Sequence, residues 1–273
     1  MHIIVPIKQV PETSNVKMDP ESGTMVRTGV EAIVNPLDLY AIEAALRLRE
    51  QVGGRVTILS MGPPKAETAL REAISMGCDD GVLLSHRKFA GADTWATAYT
   101  LAQAIREIGA YDLIICGERA TDGDTGQVGP GIAAFLDLPL ATYVSQILDA
   151  AADGLRVERL VEGGAEIVWS PLPTVLTVVK EVAYPRLPTL HGKQRAKRTE
   201  VPVWGPEEID ADAACIGLSG SPTRVVKIDK PRVARQGERV RVKSPGDVEH
   251  IAAQLVDFLQ DEQLLVGLGE GEL

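Results

Sequence analysis

A doubly wound α/β fold with a mostly parallel sheet is the class this sequence predicts, and two observations predict it: short, almost unbroken apolar runs, and segments of helical period following each of them. Strands buried on both faces of a parallel sheet read as continuous apolar runs because helices cover both faces. A third observation is glycine at the foot of the helical segments, where a C-cap needs a left-handed residue.

The elements follow in order. Residues 3–7 form the first run, and after a long connection Leu39, Ile42 and Leu46 share one helical face that ends at Gly53. Residues 56–61 form the second run, with Ala66, Ala69, Leu70 and Ala73 behind it and Gly77 as the stop. Residues 82–84 precede Ala98, Leu101, Ala102 and Ile105, stopped by Gly109, and residues 113–116 precede Val128, Ile132, Phe135 and Leu136. The alternation predicts a doubly wound domain to about residue 146. Residues 155–161, Gly163-Gly164 and residues 166–169 read as a β-hairpin, and residues 174–179 as another strand, an antiparallel completion of the sheet. A Pro-, Lys- and Arg-rich stretch fills 184–198. Between 211 and about 246 helical periodicity is weak, with Gly217, Gly220, Pro222 and Pro231, which predicts an extended arm. Residues 247–265 recover a helix through Ile251, Leu255, Phe258 and Leu265. The expected organisation is an α/β domain over 1–210 and a C-terminal arm and helix over 211–273 that docks on its own domain or on a partner.

Composition removes several functional classes. The 28 Lys and Arg against 38 Asp and Glu give a formal charge of −10, which supplies no general pull toward nucleic acid or anionic lipid. A 45% hydrophobic content over 273 residues excludes a disordered chain, and three cysteines exclude a disulfide scaffold. No apolar run approaches the roughly 20 residues of a membrane helix, and the apolar stretch from His2 follows no basic region, so a cytoplasmic protein without membrane insertion is expected. Cys78, Cys116 and Cys215 have no paired spacing and read as small hydrophobes rather than metal ligands. His2 falls in the first strand, His86 and His191 have no partner in a nucleophile turn, and Gly-x-Ser-x-Gly does not occur. No metal site and no catalytic residue are expected. The Lys193, Arg195, Lys197 and Arg198 cluster reads as a solvated face, with partner docking as the alternative.

In a parallel α/β sheet the ligand lies at the carboxyl ends of the strands, so the loops there carry the chemistry. The first runs from Lys8 to Asn35-Pro36, with Asp38 two residues on, a pattern that suits an N-cap, a ligand contact or both. Met61-Gly62-Pro63-Pro64 makes a rigid turn that a flat ring can approach. Gly91-Ala92-Asp93-Thr94 opens the third helix, where free backbone N–H groups attract anions. The segment from Asp122 to Pro130 places Gly123, Gly126 and Gly129 at three-residue spacing beside Thr125 and Gln127, which suits a phosphate approached by backbone donors. It is neither a Walker motif nor Gly-x-Gly-x-x-Gly, and Asp122 and Asp124 would repel phosphate unless they face away or orient neighbouring donors.

Taken in order, several separated motifs resemble the β subunit of electron transfer flavoproteins: Val5-Pro6-Ile7-Lys8-Gln9-Val10-Pro11, Asn35-Pro36-Leu37-Asp38, Met61-Gly62-Pro63, Ala73-Ile74-Ser75-Met76-Gly77-Cys78-Asp79, the 122–130 loop with Phe135-Leu136-Asp137-Leu138-Pro139, and Pro185-Arg186-Leu187-Pro188-Thr189-Leu190. The resemblance spans essentially the whole chain. It implies an adenine nucleotide hydrolase-like fold, a heterodimer with an α subunit, and electron transfer. In the family's ordinary branch the β subunit holds AMP; in the electron-bifurcating, Fix-like branch it holds FAD that accepts hydride from NADH. The Gly-Ala-Asp-Thr element and the 122–129 segment are similar to the second branch, although Gly126 stands where Ala or Asn is expected. Carried over by motif, the resemblance places adenine and ribose around Pro6, Asn35, Met61 and Gly62, and the phosphates near Asp93, Thr94, Thr125, Gly126, Gln127 and Gly129. It places Val182 in the loop that anchors an acyl-CoA dehydrogenase-like partner, another flavin dehydrogenase or a quinone reductase. Ferredoxin or flavodoxin is the implied low-potential acceptor. The competing readings are the AMP-binding β subunit and an ATP-binding, stress-protein-like module without redox chemistry.

Overall fold

The computed structural model describes residues 1–12, 17–18, 25–26, 32–226, 241–242 and 244–262. In chain order the elements are β1 (His2–Ile7), β2 (Gln9–Pro11), β3 (Lys17–Met18), β4 (Met25–Val26), β5 (Ala32–Val34), α1 (Pro36–Val52), β6 (Arg55–Met61), α2 (Glu67–Met76), β7 (Asp80–Leu84) and α3 (Thr94–Ile108). They continue with β8 (Leu113–Gly117), α4 (Val128–Leu136), β9 (Leu140–Ala150), β10 (Gly154–Val161), β11 (Gly164–Pro171), β12 (Thr174–Val178), α5 (Leu190–Arg198), β13 (Val203–Trp204) and α6 (Asp247–Asp261).

Nine strands form one sheet in the order β11-β10-β9-β12-β8-β1-β6-β7-β13. Every pairing from β9 across to β13 is parallel, and β10 and β11 are added antiparallel at one edge. This is the doubly wound, mostly parallel sheet with the antiparallel completion that the apolar runs predict. The central strands are buried along nearly their whole length. Alternate residues of β1 feed two cores: Ile3, Val5 and Ile7 pack with Ile42 and Leu46 of α1 and Leu70 of α2. Ile4 packs instead with Leu101 and Ile105 of α3 and Ile132 of α4. Each such side chain, fully buried, contributes roughly 1.5–3 kcal/mol by leaving water. Helices therefore cover both faces, which is why the strands could not alternate. The helix stops also stand where expected, with Gly53, Gly77 and Gly109 at φ 77°, 140° and 90°.

Seven elements among the described residues escaped the sequence reading: the short strands β2, β3, β4 and β5 fall within the long connection read as a loop, and β9, β13 and α5 follow later in the chain. β9 is half buried along its length, has Tyr143 at φ 55° and pairs irregularly with its neighbours, so no clean period-2 pattern marks it. β13 is two residues long. α5 lies in the basic stretch expected to be irregular, and few of its own side chains are buried. Its start is capped by Thr189, whose hydroxyl accepts from Gly192 N at 2.9 Å. Gly192 packs so closely on α2 that a Cβ there would stand 2.0 Å from Ser75 O. Arg195 donates to Ile74 O at 2.8 Å and to Cys78 O, caring for the carbonyls at the foot of α2. One member of the basic cluster is therefore a structural clamp.

The first compact unit is Met1–Val226, and the second is Lys227–Leu273. The boundary expected at 210 moves accordingly, because residues 211–226 are stitched into the first unit. Asp212 N donates to Tyr99 Oη at 3.0 Å, Leu218 N donates to Ala90 O at 3.2 Å, and Ile216 is buried in the second core. Within the second unit α6 begins at the predicted residue and leaves Val248, Leu255, Val256 and Phe258 exposed. Pro231 and Leu265 lie outside the described residues. No helix among the described residues is long and apolar enough to cross a membrane.

Candidate functional site

Strands β6 and β7 lie to one side of β1 and β8 lies to the other, so the carboxyl ends of β1 and β8 frame the switch point of the sheet. A cleft of about 420 Å³ opens there, a size typical of small-molecule sites. Its apolar wall includes Pro6, Met61, Phe89, Leu101 and Val128, and its polar rim includes Lys8, Asp38, Thr94 and Thr125. Helices α3 and α4 both begin at this rim; α4 has no side-chain cap, so its first-turn N–H groups stay open to the rim, whereas Asp93 caps α3. Thr94 Oγ1 donates to Thr125 Oγ1 at 3.3 Å, which joins the two helix starts.

The glycines of the rim test whether a ligand fits. A Cβ on Gly123 would meet no atom within 4 Å, and one on Gly126 would meet only Glu118 O, at 3.5 Å. Packing does not demand either residue. Gly126 does stand at φ 65° after Asp124 at φ 54°, so the loop bends through the left-handed region and leaves its backbone bare toward the cleft. A bare loop between two helix starts, opposite an apolar wall, suits a phosphate joined to a flat ring.

The acidic side chains around the cleft are the evident objection, and nearly all are compensated. Asp122 pairs with Lys8 Nζ at 2.6 Å, and Arg119 reaches Asp124 at 3.2 Å and Glu118 at 3.4 Å. Asp93 caps α3 by accepting from Ala96 N at 3.0 Å, and its other oxygen accepts from Thr223 N at 2.9 Å and Thr223 Oγ1 at 2.7 Å. Partial burial pushes the Asp93 carboxyl up, but these hydrogen bonds together outweigh it and hold the group below its usual range. Asp38 differs. It is 6% exposed, and burial drives its carboxyl up to about 7 against the Lys8 amide and the Asn35 side chain, which pull the other way.

Of the residues expected to hold cofactor, Pro6, Met61, Asp93, Thr94, Thr125 and Gly126 line the cleft. Asn35, Gly62, Gln127 and Gly129 do not line it. Asn35 occupies the N-cap position of α1 without a side-chain cap bond; its amide donates to Arg119 O at 2.9 Å and accepts from Thr121 N at 3.2 Å, pinning the loop after β8. Gly62 N donates to Leu84 O at 3.0 Å and ties the residue after β6 to the end of β7. Gln127 is the residue before α4 and makes no side-chain cap. Gly129 packs on the sheet: a Cβ there would stand 2.6 Å from Thr177 Cγ2 and 3.5 Å from Cys116 Cβ. The absence of a side chain at Gly129 thus serves helix–sheet contact. Sequence reasoning missed Lys8, Glu118, Arg119 and the burial of Asp38 as parts of the site. Only Asn35-Pro36-Leu37-Asp38 gave a signal, as an N-cap, a ligand contact or both.

The segment read as a partner anchor combines a packed residue with exposed apolar ones. Val182 is partly buried against the first core, whereas Tyr184, Leu187 and Leu190 beside it are 85%, 84% and 77% exposed. Arg186 holds this segment onto α1: its Nε lies 2.8 Å from Glu43 Oε2 and its Nη1 2.5 Å from Glu50 Oε1, while Arg47 Nε donates to Glu43 Oε1 at 2.8 Å. Burial pushes Glu43 up, but the hydrogen bonds from Arg186 and Arg47 together hold it below the usual carboxylate range.

A doubly wound sheet with a ligand-sized cleft at its switch point defines the class, the α/β folds whose ligand sites lie at the carboxyl edge of the sheet. Comparison with known proteins sharpens that class. The electron transfer flavoprotein domain model matches residues 22–209. The electron transfer flavoprotein subunit beta of Thermoanaerobacterium thermosaccharolyticum is 45% identical over 97% of this chain and all of its own length. Protein FixA of Azotobacter vinelandii is 46% identical over 85% of each chain, and the caffeyl-CoA reductase-Etf complex subunit CarD of Acetobacterium woodii is 41% identical over 97% of this chain and all of its own. The chain belongs to the electron transfer flavoprotein family, in its β-subunit branch. Its role is electron transfer, alongside the α subunit with which such β subunits pair.

Proposed function

We propose that the chain is the β subunit of a bifurcating electron transfer flavoprotein, that it binds FAD in the switch-point cleft, and that NADH is the electron donor. The observation that carries the reading is the cleft itself: two helix starts joined through Thr94 and Thr125 face a loop bare at Gly123 and Gly126, which gives room and backbone donors for a pyrophosphate beyond an adenosine site. The likeness to FixA favours the same, Fix-like branch.

When bound, FAD supplies the hydride-accepting and one-electron chemistry. The chain's own residues bind and orient. Met61, Phe89 and Leu101 give the apolar wall for the flat rings, the uncapped first turn of α4 offers N–H groups to the phosphates, and the pairs Lys8–Asp122 and Arg119–Asp124 keep rim carboxylates from repelling them. The exposed Tyr184, Leu187 and Leu190, held by Arg186, are the docking segment for a flavin dehydrogenase or quinone reductase. Ferredoxin or flavodoxin is the low-potential acceptor, and the exposed apolar side chains of α6 contact the α subunit.

The test is cofactor stoichiometry. Nucleotide released by acid from the purified heterodimer is separated by chromatography and counted against protein. Two FAD per heterodimer and no AMP are expected. One FAD with stoichiometric AMP places the chain in the ordinary branch and ends the bifurcating reading.

A further inference from the structure

We infer that Asp38 determines the charge the switch-point cleft accepts: an anionic nucleotide binds there together with a proton, which Asp38 takes up. The inference rests on reading the cleft as a nucleotide site and goes beyond it by naming the residue that couples binding to pH.

The geometry is a wedge. Asp38 sits in the first turn of α1, 6% exposed, between the carboxyl ends of β1 and β8, and forms part of the cleft wall. Its Oδ2 accepts from Lys8 N at 2.7 Å, and its Oδ1 lies 2.4 Å from where a Cβ on Gly117 would stand, with Leu37 O 2.9 Å from the same point. Glycine at 117 is what admits the carboxyl. The nearest cation is committed elsewhere, since Lys8 Nζ pairs with Asp122. Around Asp38, the link between β1 and β2 contributes Lys8, β8 contributes the buried thiol of Cys116, and the loop after β8 contributes Asp122, Glu118 and Arg119, the last paired with Glu118 and Asp124. Among the described residues no salt bridge reaches Asp38; the Lys8 amide and the Asn35 side chain compensate it first, and the Lys8 charge acts from a distance with Asp122 working against it.

Such a carboxyl is poised, its midpoint raised by burial to about 7. An anion brought into a cleft of about 420 Å³ shares a low-dielectric space with it and raises its proton affinity by roughly tenfold or more. Binding then draws a proton from solvent near neutral pH, and affinity falls as pH rises: about five- to tenfold between pH 6 and pH 8. An asparagine at the same place keeps an acceptor for the Lys8 amide but holds no proton, so its binding should be flat with pH.

The experiment uses ADP-ribose, whose pyrophosphate does not titrate in this range, with the nucleotide-stripped full-length chain. Calorimetric titrations at pH 7 in buffers of different ionisation enthalpy count the protons taken up. The expected result is a fractional proton uptake and the five- to tenfold loss of affinity for the natural chain, with neither in Asp38→Asn. Equal uptake in both overturns the inference. Should Asp38→Asn not fold, the Asp38 carboxyl carbon shift of the natural chain decides instead: a midpoint near 7 that rises with ADP-ribose supports the inference, and one near 4 that does not move overturns it. Absence of ADP-ribose binding overturns the nucleotide reading with it, whereas a count of one FAD and one AMP removes only the bifurcating branch, because AMP shares the adenosine phosphate.

Discussion

Asp38 and Asp93 occupy the starts of two helices on one cleft, and the fold treats them in opposite ways. Asp93 is wrapped by donors from its own helix and from the 221–223 segment, which hold it ionised. Asp38 is deeper and meets few donors, and burial carries it toward the neutral form. A helix start by itself does not decide the charge of a carboxylate beside it; the donors that distant segments deliver, set against lost water, do.

Four variants break or sharpen this contrast. The largest effect is expected for Asp38→Asn. Asp38 has its folded midpoint at about 7, above the unfolded value of 3.8, so the ionised form opposes folding: the cost is absent below pH 4, grows between pH 4 and pH 7 and is constant above. Removing the charge should therefore stabilise the protein at pH 8 by as much as ~4 kcal/mol, and not at pH 4, in denaturant unfolding at the two pH values. A destabilised variant at pH 8 would mean that the carboxylate is compensated after all.

Next comes Gly117→Ala, which pushes a methyl into Asp38 Oδ1 and the Leu37 carbonyl and should cost about 1–3 kcal/mol by forcing α1 away from β8. If Asp38→Asn restores none of that loss, the backbone of Leu37 rather than the carboxyl is the obstacle. Asp93→Ala removes the cap of α3 together with the bonds to Thr223, and a loss of about 1–2 kcal/mol is expected. Hydrogen exchange should quicken at Leu218 and Thr223, whose amides bond to Ala90 O and Asp93; unchanged exchange there would separate the segment from the cap. The smallest effect belongs to Lys8→Met. Its ammonium is half exposed and the pair with Asp122 is screened, so unfolding should shift by less than about 1 kcal/mol, while ADP-ribose binding weakens because Asp122 is left facing the rim.

Much of the fold was legible. Unbroken runs marked β1, β6, β7, β8 and β12, and glycine marked the ends of α1, α2 and α3, because burial on two faces and left-handed backbone leave local traces in composition. β9 and α5 were illegible for a physical reason: the first is half wet and irregularly paired, and the second is held by a glycine contact and Arg195 rather than by an apolar face of its own. The candidate site was legible as a set of loops but not as a set of roles. Asn35 and Gly129 were read as ligand contacts, yet one pins a loop and the other admits a helix to the sheet.

By itself the sequence determined the layered α/β architecture and the edge of the sheet where a ligand belongs, since both follow from short-range periodicity and from chain order. Only the tertiary structure decided the charges. Lys8 meets Asp122 across 114 positions of chain and Asp93 meets Thr223 across 130, while Asp38 loses its water to the ends of two strands. The free energy of a proton depends on the dielectric and on the donors within a few ångströms, and neither is a property of neighbours in sequence.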